Sequence, residues 1–312
     1  MSRPPNPVLL RAPRGRSDTE RIAPHSPGAA AWHKPTCIAF LLVWLVNWLV
    51  VAFGIMLPAD GLWVEGLLPV TAVATTLVGL RRTLPLQNVL AISVLIAGFA
   101  YAVTWLCVRT GLPFGPIAFL DAEANPLLGT VPWWIPALWL VLVINARGVA
   151  RLMLYRWRTS RNYGLWVIGV TCALVVVFDL GLEPFAIHTK HYWLWTTGKS
   201  PWGWDWYGAP LSNFLAWLIC ALLLVLATFV WSINKRPVPV VPDYHPLAIW
   251  FLLAAWMTTG NLVQGRWAAA TCSISSCLVM VALMLWSVRK APLRIRTLAN
   301  PSFGVLDPRT RD

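Results

Sequence analysis

The sequence predicts an all-α fold, a polytopic integral membrane bundle of about eight transmembrane helices. Three observations predict it. Of 312 residues, 58% are hydrophobic and only 12% charged, where soluble domains average about 25% charged. The apolar residues fall in eight runs separated by short polar segments. Drawing eight spans also puts 21 of the 25 Lys and Arg on one side, the asymmetry that marks cytoplasmic loops.

The division expected along the chain is a disordered cytoplasmic tail at 1–35, a transmembrane domain at 36–288 and a cytoplasmic tail at 289–312. The first segment is rich in Pro and Arg and has no long apolar run. The runs are Thr36–Leu57, Leu62–Leu80, Gln87–Val108, Val131–Ala146, Tyr163–Phe178, Pro210–Trp231, Pro246–Val263 and Trp267–Val288. A span needs about 20 apolar residues. The first, third, sixth and eighth meet this easily. The fourth becomes long enough if Arg147 and Arg151 snorkel. The first is too long for a signal-peptide core and reads as an uncleaved anchor. Pro237 to Pro246 reads as a semi-rigid extended connector. No internal repeat supports an inverted-repeat transporter.

Both termini are therefore expected on the cytoplasmic side of the cytoplasmic membrane. The net charge of +13 is spent on topology and not on a basic domain, so no nucleic-acid partner is expected. The six cysteines lie in or beside apolar runs without a CxxC pair, and read as small buried side chains. The acids run the other way. Asp60, Glu65, Asp121, Glu123, Asp179, Glu183 and Asp205 make seven of the twelve, all at non-cytoplasmic ends. Chemistry is expected near that leaflet.

Three segments carry it. The first is Asp179-Leu-Gly-Leu-Glu183-Pro184. Sixteen apolar residues before Asp179 span about 24 Å at 1.5 Å per residue, near the edge of a hydrocarbon core about 30 Å thick. A spacing of four puts the two acids on one helix face; Pro184 instead favours a pair that straddles the helix end. Either way, like charges close together in a poorly hydrated place repel, which makes a retained proton available for acid chemistry. The plain alternative is an interfacial acid paired with Lys190.

The second segment runs from His191 through Trp193, Trp195, Trp202, Trp204, Asp205, Trp206 and Tyr207 to Asn213. Such indoles serve either as an interfacial belt or as π faces for a cation or polyene. The third holds Gly111, Pro113, Gly115, Asp121, Glu123, Pro126, Gly129, Pro132 and Pro136, which forbid one continuous helix. Asp121 is either a turn acid or a partner of Asp179. His188 and His191 have helical spacing but no third convergent ligand, so no metal site is expected. With no GxGxxG and no P-loop, no cofactor is expected either.

In order and spacing, residues 98–220 resemble the carotenoid hydratase family of CruF type. The similar residues are Thr110-Gly-Leu-Pro-Phe-Gly115, Gly129-Thr-Val-Pro132, Ile135-Pro-Ala-Leu-Trp139, Asp179-Leu-Gly-Leu-Glu183-Pro184, Trp193-Leu-Trp195 and Tyr207-Gly-Ala-Pro-Leu-Ser-Asn213-Phe-Leu-Ala-Trp217. This chain departs from the pattern at Ile117 and Phe119, where tyrosines are usual, near Thr104, where a Glu is usual, and at Glu183, where an Asp is usual. The resemblance implies cofactor-free addition of water to the terminal double bond of a linear carotenoid end. The substrate would be a carotenoid or other isoprenoid dissolved in the lipid bilayer.

Elementary chemistry fits. Protonating the less substituted carbon of an isopropylidene end gives a tertiary cation, which needs an acid, π faces and a held water. The assigned roles are Asp179 as the acid with Glu183 as its partner, Asp121 and Asp205 as further acids, Asn213 for water, and Trp193, Trp195, Trp202, Trp204, Trp206 and Tyr207 against the polyene. The rival readings are a membrane prenyltransferase or cyclase, and a non-enzymatic pigment- or lipid-binding protein. A diphosphate enzyme would want basic residues beside its acids, and this leaflet has few. No oligomeric state follows from the sequence.

Overall fold

The computed structural model describes residues 27–120, 130–196, 205–232 and 242–289. Its helices are α1 Pro27–Phe53, α2 Leu62–Arg81, α3 Leu86–Thr110, α4 Trp134–Met153, α5 Tyr163–His188, α6 Leu211–Ser232, α7 His245–Val263 and α8 Trp267–Arg289. All eight are long and apolar enough to cross a membrane. In lipid a backbone must satisfy its own polar groups, which a helix does residue by residue. The chain is a multi-pass membrane protein, and the eight expected runs are its eight helices.

Helix α4 is the axis of the bundle, packed against α2, α3, α5, α6, α7 and α8. It is also the most buried of the spans. Large apolar side chains left exposed, such as Leu42 on α1, Val94 on α3, Ile219 on α6 and Leu278 on α8, belong to the outer helices. They face outward because the surrounding solvent is hydrocarbon.

Three boundaries differ from the sequence expectation. Helix begins at Pro27, inside the segment read as a tail, and passes through Pro35. Helix α4 continues to Met153 because Arg147 finds a partner without snorkelling: its guanidinium donates to the Ser232 carbonyl at the end of α6, 3.0 Å away. A cation suits the unsatisfied carbonyls of a helix C-terminus. Helix α5 runs ten residues past Phe178, to His188, straight through Pro184.

That last continuation has a local cause. Proline has no N–H, so the carbonyl four residues earlier, at Leu180, loses its helical partner. The Trp206 indole N–H donates to the Leu180 oxygen instead, at 2.8 Å. The gap Pro184 opens in the ladder is filled from the next connection, and Asp179 and Glu183 stay on one helix face.

Two small sheets shape the end of the bundle where α3 and α5 finish. Strand β1, Ile117–Phe119, pairs antiparallel with β2, Trp193–Trp195, with Ile117 opposite Trp195 and Phe119 opposite Trp193. Gly115, just before β1, has φ 123°, and a Cβ there would lie 3.0 Å from Pro210 and 3.3 Å from Trp195. Only glycine lets the chain turn so close to those rings. Strands β3, Asp205–Trp206, and β4, Ala209–Pro210, form a hairpin. Its two turn residues, Tyr207 and Gly208, have φ of 53° and 97°, the left-handed pair that a tight two-residue hairpin requires. No helix occurs in the described part of 111–133, as the prolines and glycines there predict. The first half of the Pro237–Pro246 connector, 237–241, lies outside the described residues, and α7 begins within its second half, at His245.

Candidate active site

Asp179 and Glu183 are both buried, 0% and 1% exposed, near the end of α5. The Asn213 side chain, in the first turn of α6, bridges them. Its amide nitrogen donates to Asp179 Oδ2 at 2.8 Å and to Glu183 Oε1 at 3.0 Å. Both amide hydrogens are thereby used. The Asn213 carbonyl accepts the Trp217 indole N–H at 3.0 Å, one helical turn further along α6. Asn213 is itself 1% exposed, so it holds the two acids together from the middle of a network.

Glu183 Oε2 accepts two more bonds, from the indoles of Trp193 at 3.1 Å and Trp195 at 3.0 Å. These are the two ends of β2, both brought over α5 by pairing with β1. A carboxylate has about four acceptor positions; Glu183 fills three of them with neutral N–H donors. Asp179 Oδ1, also buried, has no hydrogen-bond partner among the described residues.

Among the described residues, neither acid belongs to an ion pair. Lys190, the cation that the plain reading offered them, binds Glu65 near the start of α2. Tyr192 also donates to Glu65, at 3.3 Å. The pair is left with a set of neutral donors and with each other.

A narrow cavity opens on this network. Its wall includes Glu183, Asn213, Trp193, Trp195, Trp139 and Trp217. Its volume is about 40 Å³, enough for water, which needs roughly 10–15 Å³. Apart from Thr104 and Cys107, its remaining walls are apolar and aromatic. Trp139 of α4 and Trp217 of α6 stack at 4.3 Å with planes 15° apart, and Phe114 sits 6.4 Å from each. Above them Trp193 stacks on Trp134 at 5.9 Å, with Phe119 edge-on to both. Indole faces are the best side-chain partners for a carbocation-like charge.

The sequence expectations divide against this geometry. Asp179, Glu183, Asn213, Trp193 and Trp195 come together as one network. Of the two acids, Glu183 lines the cavity, and Asp179 is reached through the Asn213 amide. Asn213 was expected to hold water; its amide holds carboxyls. Asp205 is not among the residues lining the cavity. It is exposed, and its Oδ1 accepts the Gly208 N–H at 2.8 Å, closing the hairpin turn. Trp206 acts through Leu180 and not on the cavity. Tyr207 points toward Arg266, whose guanidinium lies 5.7 Å from its ring, and its carbonyl lies 3.1 Å from His188 Nε2. Asp121, Trp202 and Trp204 lie outside the described residues.

Sequence reasoning passed over Trp139 and Trp217 as wall residues, although both stand in the resembling motifs. The signal was there. Trp217 is four residues after Asn213, and Ile135, Leu138 and Trp139 repeat at three and four on α4, so each set shares a face. Thr104, Ile117, Phe119 and Glu183, the positions at or near which the chain departs from the resembling family, all line this same cavity.

Comparison with known proteins identifies the family. Residues 61–283 match the family described as carotenoid biosynthesis protein. A bisanhydrobacterioruberin hydratase from Haloarcula japonica is 30% identical over 128 residues, 41% of this chain. The match spans 40% of that protein's length. No solved structure matches. With α2 to α7 and most of α8 inside the matched residues, the chain belongs to the carotenoid biosynthesis protein family.

Proposed function

We propose that this protein is a cofactor-independent hydratase that adds water to the terminal double bond of a linear carotenoid. The observation that carries the reading is a pair of buried carboxyls, without an ion pair among the described residues, one of which lines an aromatic cavity. The polyene end enters the cavity from the bilayer. Glu183 gives a proton to the less substituted carbon of the terminal double bond, and the π electrons of that bond form the new C–H bond. The tertiary cation left behind is held against the faces of Trp139, Trp217 and Trp193. A water oxygen bonds to the cation, and the water's second proton returns to the carboxyl pair. The net change is one water added per reacted end. Asp179 shares the proton with Glu183, and Asn213 keeps both acids in register, so the two are best treated as one titrating unit. The hydratase name of the Haloarcula relative supports the same chemistry.

The decisive experiment is expression in cells that accumulate linear carotenes, followed by mass measurement of the extracted pigments. The hydratase reading expects a gain of one water per reacted end. Pigment that co-purifies with the protein at unchanged mass would make it a binding protein instead.

The reading also assigns sidedness: both tails cytoplasmic, the site near the opposite leaflet. The support is the 21-to-4 division of Lys and Arg. Reporter fusions after Arg161 and Lys235 should report cytoplasm, and one at Lys199 should report the other side. A cytoplasmic reading at Lys199 overturns this orientation.

A further inference from the structure

At the opposite end of the bundle, three metal-ligating side chains from distant parts of the chain converge. His33 and Cys37 lie one turn apart on α1, and His245 opens α7. One donor atom from each falls within 4.8 Å of the others. The Cys37 sulfur is 3.8 Å from His33 Nε2. Thr75 Oγ1 of α2, fully buried, stands 3.2 Å from both the Cys37 sulfur and His245 Nε2. The two imidazoles have centroids 4.7 Å apart.

We propose that His33, Cys37 and His245 form a binding site for a borderline-soft divalent cation of the Zn²⁺ class, with the Thr75 hydroxyl or a water completing four-coordination. Two imidazoles and one thiolate are donors that suit zinc, and hard cations such as Mg²⁺ take oxygen. In a tetrahedral zinc site, bonds of about 2.0–2.3 Å put donors roughly 3.3–3.7 Å apart. Side-chain rotation therefore closes the present spacing without moving a helix. Binding displaces the Cys37 thiol proton to solvent.

The surroundings are built for it. A Cβ on Gly79 would lie 2.5 Å from the His245 ring, so α2 leaves the imidazole its space only because residue 79 is glycine. The Arg82 guanidinium, 3.3 Å from His33 Nε2, must release that nitrogen when a cation binds. Asp243, 4.0 Å from Arg82, is at hand to take the guanidinium. The site is separate from the carboxyl pair. Asn261 of α7 donates to the Gly181 carbonyl beside that pair, and His245 is sixteen residues away along α7, about 24 Å at 1.5 Å per residue. An ion there clips the start of α1 to the start of α7, a structural role independent of the proposed hydration.

The test uses the full chain purified in detergent and loaded with Zn²⁺, then Co²⁺. The expected result is one tightly held ion per chain after dialysis. X-ray absorption at the zinc edge should show one sulfur and two imidazole nitrogens, and Co²⁺ should give a thiolate charge-transfer band. Cys37→Ser should remove the band. Gly79→Ala, which keeps every donor but crowds His245, should weaken binding at least ~10-fold, the lower end of what loss of an outer-shell partner costs metal sites. No bound ion, a shell without sulfur, or a band unchanged in Cys37→Ser overturns the proposal. The donor count on the parent protein decides the matter even if a variant fails to fold.

Discussion

Glu183→Gln should cut conversion of linear carotene by at least about 100-fold while leaving the protein inserted at parental levels. The change keeps size and hydrogen-bonding capacity and removes only the acid. A positioned general acid typically contributes about 10²–10⁴ in rate, and Glu183 is the carboxyl on the cavity wall. Asp179→Asn should lose a comparable amount, because it removes the acid that shares the proton behind Asn213. The measurement is hydrated pigment per unit of membrane protein for parent and both variants. Near-parental conversion by Glu183→Gln would move the proton source elsewhere. Near-parental conversion by Asp179→Asn alone would reduce Asp179 to a neighbour of the acid.

The second large effect is expected at Asn213. Replacing it with Leu keeps the bulk but leaves Asp179 Oδ2, Glu183 Oε1 and the Trp217 indole without their shared partner. In water-excluded surroundings an orphaned polar group costs about 1–3 kcal/mol. Hydrogen bonds inside membrane bundles average nearer 0.6 kcal/mol, because the unfolded chain in the membrane also finds partners. The loss for three broken bonds is therefore expected at about 1–3 kcal/mol in total, read as a lower midpoint of thermal unfolding in detergent. Conversion should fall at least ~10-fold as well, since small displacements of a catalytic group are costly. A variant with parental stability and parental conversion would show that the bridge organises nothing.

How much of this was legible follows from what each signal measures. Hydrophobic runs report which residues avoid water, and that sufficed for all eight helices. Helix ends were less legible because partners distant in sequence set them. Arg147 extends α4 by capping α6, and Trp206 lets α5 pass Pro184 by taking the Leu180 carbonyl. The acid pair was legible as a spacing of four in an apolar context. Which acid meets the cavity was not, because that depends on where β2 and α6 lie against α5. Nor was it legible that Asp205, an acid among tryptophans, would lie away from the cavity and accept the Gly208 N–H across a turn. His33 and His245, more than two hundred positions apart, carried no local signal at all.

The pairing of β1 with β2 bears on how reactants arrive. The aqueous end above the cavity is stitched shut. Beyond the strand pairs, the Thr196 N–H binds the Pro116 carbonyl at 3.0 Å, and the Leu120 N–H binds that of Tyr192 at 3.1 Å. The Ser212 hydroxyl holds the Phe114 carbonyl at 2.9 Å. Parting this cover to admit a long polyene would strip several backbone groups of their partners at once. The flank between α3 and α6, which supply Thr104, Cys107, Asn213 and Trp217 to the cavity, presents the exposed apolar side chains Leu106, Leu215 and Leu218 on its outer surface. A hydrocarbon guest moving sideways between those helices exchanges one apolar contact for another. If the proposed hydration holds, a lipid-dissolved reactant is expected to enter by this flank and not through the strand-covered end.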